Sequence, residues 1–88
     1  MRIELDGRKM TNRAAAHVHL QVQLALPDAY GRNLDALYDL LTERGEPTQL
    51  VLYHSEALDV LPGGYGTALL ATLRDAAQDN PALEFLLV

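Results

Sequence analysis

The chain contains no cysteine. Disulfides, thiolate nucleophiles and cysteine-ligated zinc are therefore excluded. Small secreted domains commonly rely on disulfides, so their absence favours a cytoplasmic address. Long apolar runs are missing too, and none approaches the roughly 20 residues that a bilayer span requires. The opening Met1-Arg2-Ile3-Glu4-Leu5-Asp6-Gly7 lacks the basic segment and apolar run of a secretion signal. Positive charge is scarce: 7 Lys and Arg stand against 12 Asp and Glu, a net charge of -5. Such a surface disfavours direct binding to nucleic acid or to an anionic membrane, while it attracts and steers a basic partner. There is no internal repeat, low-complexity segment or interdomain linker, so residues 1–88 are expected to form a single domain. A chain this short can bury roughly 60–65% of its unfolded surface. It supports one modest core, not a deep cleft between two domains.

What is present is a soluble, globular composition, 49% hydrophobic and 22% charged. Ile3 and Leu5 alternate with Arg2, Glu4 and Asp6, which predicts a strand with one buried face and a turn at Asp6-Gly7. Thr11 or Asn12 caps a helix from Arg13 to Leu26, with Ala16, Leu20 and Leu24 on its apolar face; Pro27 ends it. A loop runs from Pro27 to Asn33. Asn33 then caps a second helix reaching about Glu43, with Leu34, Leu37, Leu40 and Leu41 inward. Gly45 and Pro47 stop it. The unbroken run Gln49 to Tyr53 predicts a central strand covered on both faces. Ser55 caps a short helix through Leu61, and Pro62, Gly63, Gly64 and Gly66 make a flexible break. Tyr65 to Asp79 is helical, Asn80-Pro81 ends it, and Leu83 to Val88 is a last strand. The order β-α-α-β-α-α-β predicts an α/β fold: a three-stranded parallel sheet packed with four helices.

Asp35, Asp39 and Glu43 recur every fourth residue, so they lie along one side of the second helix, opposite its leucines. Like charges at this spacing destabilise a helix by roughly 0.2–0.5 kcal/mol per pair. The stripe fits a solvated helix face or a binding surface for Arg and Lys. A catalytic carboxylate pair needs an enclosed site that a convex helix does not provide. Other candidates are weaker. His17 and His19 are two apart on a helix and point to different sides, and His54 has no partner in sequence, so no metal site is expected. Pro62-Gly63-Gly64-Tyr65-Gly66 lacks the lysine and glycine spacing of a nucleotide loop and reads as a turn. Ser55 and Thr67 lack an activating constellation. No cofactor is implied.

The segment Leu24-Ala25-Leu26-Pro27-Asp28-Ala29-Tyr30-Gly31-Arg32-Asn33-Leu34-Asp35-Ala36-Leu37-Tyr38-Asp39 closely resembles the core motif of the barstar family, approximately Leu-Pro-x-x-Tyr-Gly-x-Asn-Leu-Asp-Ala-Leu-aromatic-Asp. Weaker similarity extends along nearly the whole chain, including Gly7, the central strand and Arg74-Asp75. The resemblance implies a small parallel sheet with helices and a non-enzymatic inhibitor of a barnase-type ribonuclease. It implies that Asp39 enters the enzyme's phosphate site in place of an RNA phosphate. Asp35 would meet the base-recognition loop, and Tyr30, Gly31, Asn33 and Leu34 would shape the contact loop. Asp75 matches a family glutamate but is one methylene shorter. At positions 29 and 44 the sequence has Ala29 and Arg44 where aromatics are frequent, and Tyr38 stands where tryptophan is known. Arg44 is expected to add positive charge near the contact surface. The partner is thus a basic ribonuclease or related toxin, met by a chain that is monomeric when free. The alternative is an interaction or immunity module of the same fold whose target is not a ribonuclease.

Overall fold

The computed structural model describes residues 1–88 and places β1 at Arg2–Asp6, where alternation required a one-faced strand. A 3-10 turn, Gly7–Lys9, follows. Asn12 starts α1 (Arg13–Leu24) by accepting a hydrogen bond from the Ala15 amide at 2.8 Å. The helix ends before the expected Leu26, because Ala25 adopts a left-handed φ of 52° and unwinds the chain ahead of Pro27. Then come α2 (Leu34–Thr42), β2 (Thr48–Tyr53), a 3-10 helix over Ser55–Val60, α3 (Tyr65–Asp79) and β3 (Leu83–Leu87). The four helices of the β-α-α-β-α-α-β order are α1, α2, the 3-10 segment and α3. Pro62–Gly64 forms a short 3-10 turn kinked at Gly63, whose φ is 66°.

The sheet order is β1-β2-β3, and both pairings are parallel. Ile3 stands beside Leu50 and Leu5 beside Leu52 across one pairing, and Leu50 beside Phe85 across the other. This face meets the apolar sides of all three α-helices. Leu20 and Leu24 of α1, Leu37 and Leu41 of α2, and Leu69 and Leu73 of α3 share one core with Ile3, Leu5, Leu50 and Leu52. Leucine dominates, and each side chain fully buried contributes about 1.5–3 kcal/mol of transfer free energy.

The other face departs from expectation. Helices do not cover β2 on both sides. Strand alternation places Arg2, Glu4, Gln49, Val51, Tyr53, Glu84 and Leu86 there, and the polar side chains among them form a roof. Arg2 donates to Gln49 Oε1 at 3.0 Å and to the Tyr53 hydroxyl at 2.8 Å. Tyr53 donates to Glu4 at 2.8 Å, and Gln49 to Glu84 at 2.9 Å. Val51 is buried, 1% exposed, within this polar face and outside the helix-facing core. Long polar side chains can shield apolar surface with their stems while keeping their heads wet.

The outer edge of β1 is occupied by α1. Gln23 donates to the Glu4 carbonyl at 2.8 Å, and the Asp6 amide donates to His19 Nε2 at 3.0 Å. Two backbone groups that would face outward from an edge strand, the Glu4 carbonyl and the Asp6 amide, are thereby satisfied. Two glycines allow close backbone approach elsewhere. A Cβ on Gly7 would collide with the His54 carbonyl, and one on Gly66 with the Leu58 carbonyl. No helix is long and apolar enough to cross a membrane.

Candidate partner-binding surface

The position of α2 is fixed at both ends and from beneath. Asn33 accepts a hydrogen bond from the Ala36 amide at 2.8 Å, satisfying a donor that a helix leaves free at its start. Leu37 and Leu41 are fully buried against the core. At the far end the Asn80 amide, buried after α3, donates to the carbonyls of Leu41 at 2.9 Å and Arg44 at 2.8 Å. Its Oδ1 accepts from the Ala82 amide at 3.0 Å, so the side chain joins α2 to the start of β3. These contacts hold one helix face inward and leave Asp35, Asp39 and Glu43 exposed.

Asp35 lies in the first turn, where the helix dipole favours a carboxylate. Asp39 follows one turn later. Glu43 is the C-terminal cap residue, beyond the motif. Tyr38 is half-buried between α2 and α3 and donates its hydroxyl to Asp79. That hydrogen bond raises the tyrosine's pKa first, followed by burial and the charges of Asp79, Asp75 and Asp39. The acidic surface therefore extends from α2 onto α3. Asp75 lies near enough to act on the same hydroxyl, and Asp79 is a member that sequence spacing did not single out.

The loop before α2 is built from the inside. Tyr30 is buried, 6% exposed, so it supports the loop from below. Gly31 and Asn33 are exposed, and Leu34 is half-buried against the core. The Asn33 amide also donates to the Gly31 carbonyl at 3.3 Å, tightening the turn before α2. A side chain at position 31 would crowd that amide, 3.1 Å from an added Cβ. Ala29 is exposed and offers only a methyl group.

Arg44 corrects the sequence reading. Its guanidinium turns onto the end of α1 and the start of β2, donating to Thr48 Oγ1 at 3.0 Å and the Leu24 carbonyl at 3.3 Å. It serves as a tether there, not as a free positive charge near the contact surface. The two α1 histidines do point apart. His17 meets the hydroxyls of Tyr30 and Tyr65, whereas His19 meets β1. His54 lies near Glu56 at 3.4 Å.

The surface thus offers carboxylates on a rigid, convex helix beside a loop of fixed shape. Such an arrangement suits charge-assisted hydrogen bonds to guanidinium or ammonium groups on another protein. Comparison with known proteins points the same way. The family described as "Barstar (barnase inhibitor)" matches over residues 1–88. A Bacillus subtilis (strain 168) protein named "Putative ribonuclease inhibitor YrdF" is 38% identical over 79 residues, covering 89% of this chain and 87% of that protein. With a match along its whole length and the parallel sheet and capped helix in place, the chain belongs to the barstar family.

Proposed function

We propose that this chain inhibits a barnase-type ribonuclease by filling its active site with the carboxylates of α2. The observation that carries the reading is the exposed pair Asp35 and Asp39 on a helix anchored by Asn33, Leu37, Leu41 and Asn80. A nuclease that holds phosphate gathers Arg and Lys in its site. Asp39 occupies that site as a substitute for an RNA phosphate, and Asp35 binds at its rim. Tyr30, Gly31, Asn33 and Leu34 set the shape of the contact loop beside them. Tyr38 and Asp75 extend the contact onto α3. The inhibitor acts without turnover, as a cytoplasmic monomer, and needs no cofactor.

Inhibition by purified protein of a basic ribonuclease encoded beside its gene is the direct test. Asp39→Ala should lose tight inhibition while keeping the wild-type melting temperature. Inhibition unchanged by that substitution would sink the mechanism. Exposed Ala29 favours a second reading, because a methyl group provides little area or stacking against an enzyme site. On that reading the same surface binds a basic protein that is not a nuclease. Partner capture by the wild-type chain and not by Asp39→Ala, with no protection of RNA, would support it.

A further inference from the structure

A cleft of about 490 Å³ opens where the first residues of the three α-helices, Arg13, Leu34 and Tyr65, come together. Its polar lining is Arg13, His17, Arg32, Asn33, Asp35 and Tyr65. Two guanidiniums face one carboxylate there, on a chain whose net charge is -5. Neither arginine has an acidic partner: the ion pairs are Arg2–Glu4, Arg8–Asp6 and His54–Glu56. Both arginines are nevertheless held. Arg13 lies over the Tyr65 ring, its Cζ 4.2 Å from the centroid. Arg32 donates from Nε and Nη2 to Gln21 Oε1 at 3.3 and 3.2 Å. Its charge is felt inside the protein, where it adds to burial in lowering the pKa of His17.

We propose that this notch accepts a carboxylate side chain of the ribonuclease whose basic site is covered by Asp35 and Asp39. The inference rests on the inhibitor reading above. Asn33, Leu34 and Asp35 border the notch and also belong to the proposed contact surface, so a partner seated on α2 covers both. Guanidiniums sealed there without an anion would lose hydration and repel the partner's own cations. An acidic side chain opposite them reverses both effects. The surface then carries two signs of charge in fixed order. A protein that offers only positive charge fits it poorly, which is discrimination by repulsion.

The test compares wild type with Arg13→Gln/Arg32→Gln and Arg32→Gln, using barnase and other barnase-type ribonucleases as probes in surface-binding kinetics. Thermal melts establish that each variant is folded, and the single variant serves if the double one is not. The notch predicts dissociation about tenfold faster or more for the double variant, since partnered interfacial charges act mainly on the off-rate. Without a partner carboxylate the sign reverses. A chain two charges more acidic would meet a basic enzyme faster and hold it tighter, and that result overturns the proposal. Wild type binding none of the ribonucleases would overturn the inhibitor reading and this inference with it. Titration of the free ¹⁵N-labelled chain with inorganic phosphate separates the remaining source of negative charge. Saturating shifts at Arg13, Arg32 and Asp35 at micromolar phosphate would assign the notch to a free anion, against the proposal.

Discussion

The Tyr30 hydroxyl lies 2.6 Å from His17 Nδ1 inside the protein, and the Tyr65 hydroxyl lies 2.6 Å from the other ring nitrogen. A neutral imidazole has one bare nitrogen and one N–H, so one tyrosine donates to the ring and the other accepts from it. The relay joins the loop before α2, α1 and α3. Burial pushes the hydroxyl pKa values of both tyrosines up, which keeps them protonated.

Tyr30→Phe removes one end of this relay and leaves a buried ring nitrogen without its partner. A loss of about 1–3 kcal/mol is expected in urea unfolding. Hydrogen exchange should quicken over residues 27–33 as the loop loosens. An unaltered midpoint together with unaltered exchange would show that the relay holds nothing in place.

Acid should weaken the fold in two separate windows. The pKa values of His17 and His19 are lowered from 6.5, burial being the largest cause for each. The unfolded chain therefore binds protons that the folded chain refuses. Stability is fully present above pH 6.5 and is lost as pH falls through the lowered folded-state values. Arg8 holds Asp6 at about 2 against a usual 3.8, so its contribution is lost only as pH falls from about 3.8 through about 2. Urea midpoints from pH 8 to pH 2 check this. A glutamine at position 19 keeps an acceptor for the Asp6 amide and should flatten the first window in part. A flat profile from pH 7 to pH 5 in the wild type would contradict the assignment.

Asn80→Ala should cost about 1–3 kcal/mol by orphaning carbonyls at the end of α2. The acidic helix would fray from Leu41 onward, so affinity for the partner should fall even though Asn80 is buried and cannot touch it. If affinity holds while stability drops, the end of α2 is not needed for binding.

Gly66→Ala adds a methyl group against the Leu58 carbonyl, at a position where no open space exists. Overpacking of this kind costs about 1–3 kcal/mol. Alanine normally strengthens a helix relative to glycine, so a higher melting temperature in this variant would refute the close contact.

Asp39→Ala should weaken partner binding by about 2–5 kcal/mol, the general range for truncating one member of a buried interfacial charge pair, to which barnase–barstar pairs themselves contribute. Asp75→Ala should weaken it less, because a rim charge is screened by solvent. Titration calorimetry against the same enzyme ranks the two, and equal losses would move Asp75 to the centre of the contact.

Local pattern carried much of this molecule. The caps at Asn12 and Asn33, the leucine period of α2 and the alternation of Arg2 to Asp6 state their structure within a few residues. Position 51 shows where pattern fails. Leu50, Val51 and Leu52 read alike as buried, but a sequence run does not say whether a helix or a polar roof covers the residue. The signal lay across strands: Arg2, Glu4, Gln49, Tyr53 and Glu84 occupy alternate positions on one face. His17 with Tyr65 and Asn80 with Leu41 had no local signature, because their partners lie 48 and 39 residues away. The acidic stripe was legible as a shape. Its extension to Asp79 and the notch between Arg13 and Arg32 needed three helices brought together.

The two α1 side chains on the outside of β1 have a consequence for how this protein fails. Protonating His19 removes the acceptor for the Asp6 amide and leaves a donor facing a donor. The strand edge then presents an open backbone donor, the Asp6 amide, of the kind on which another chain can add a strand. Mild acid thus favours self-association as well as unfolding, with the two linked through one ring nitrogen. Light scattering near the acid midpoint should rise with protein concentration, and Gln at position 19 should delay it. Scattering that is equal in both proteins would place the sticky edge elsewhere.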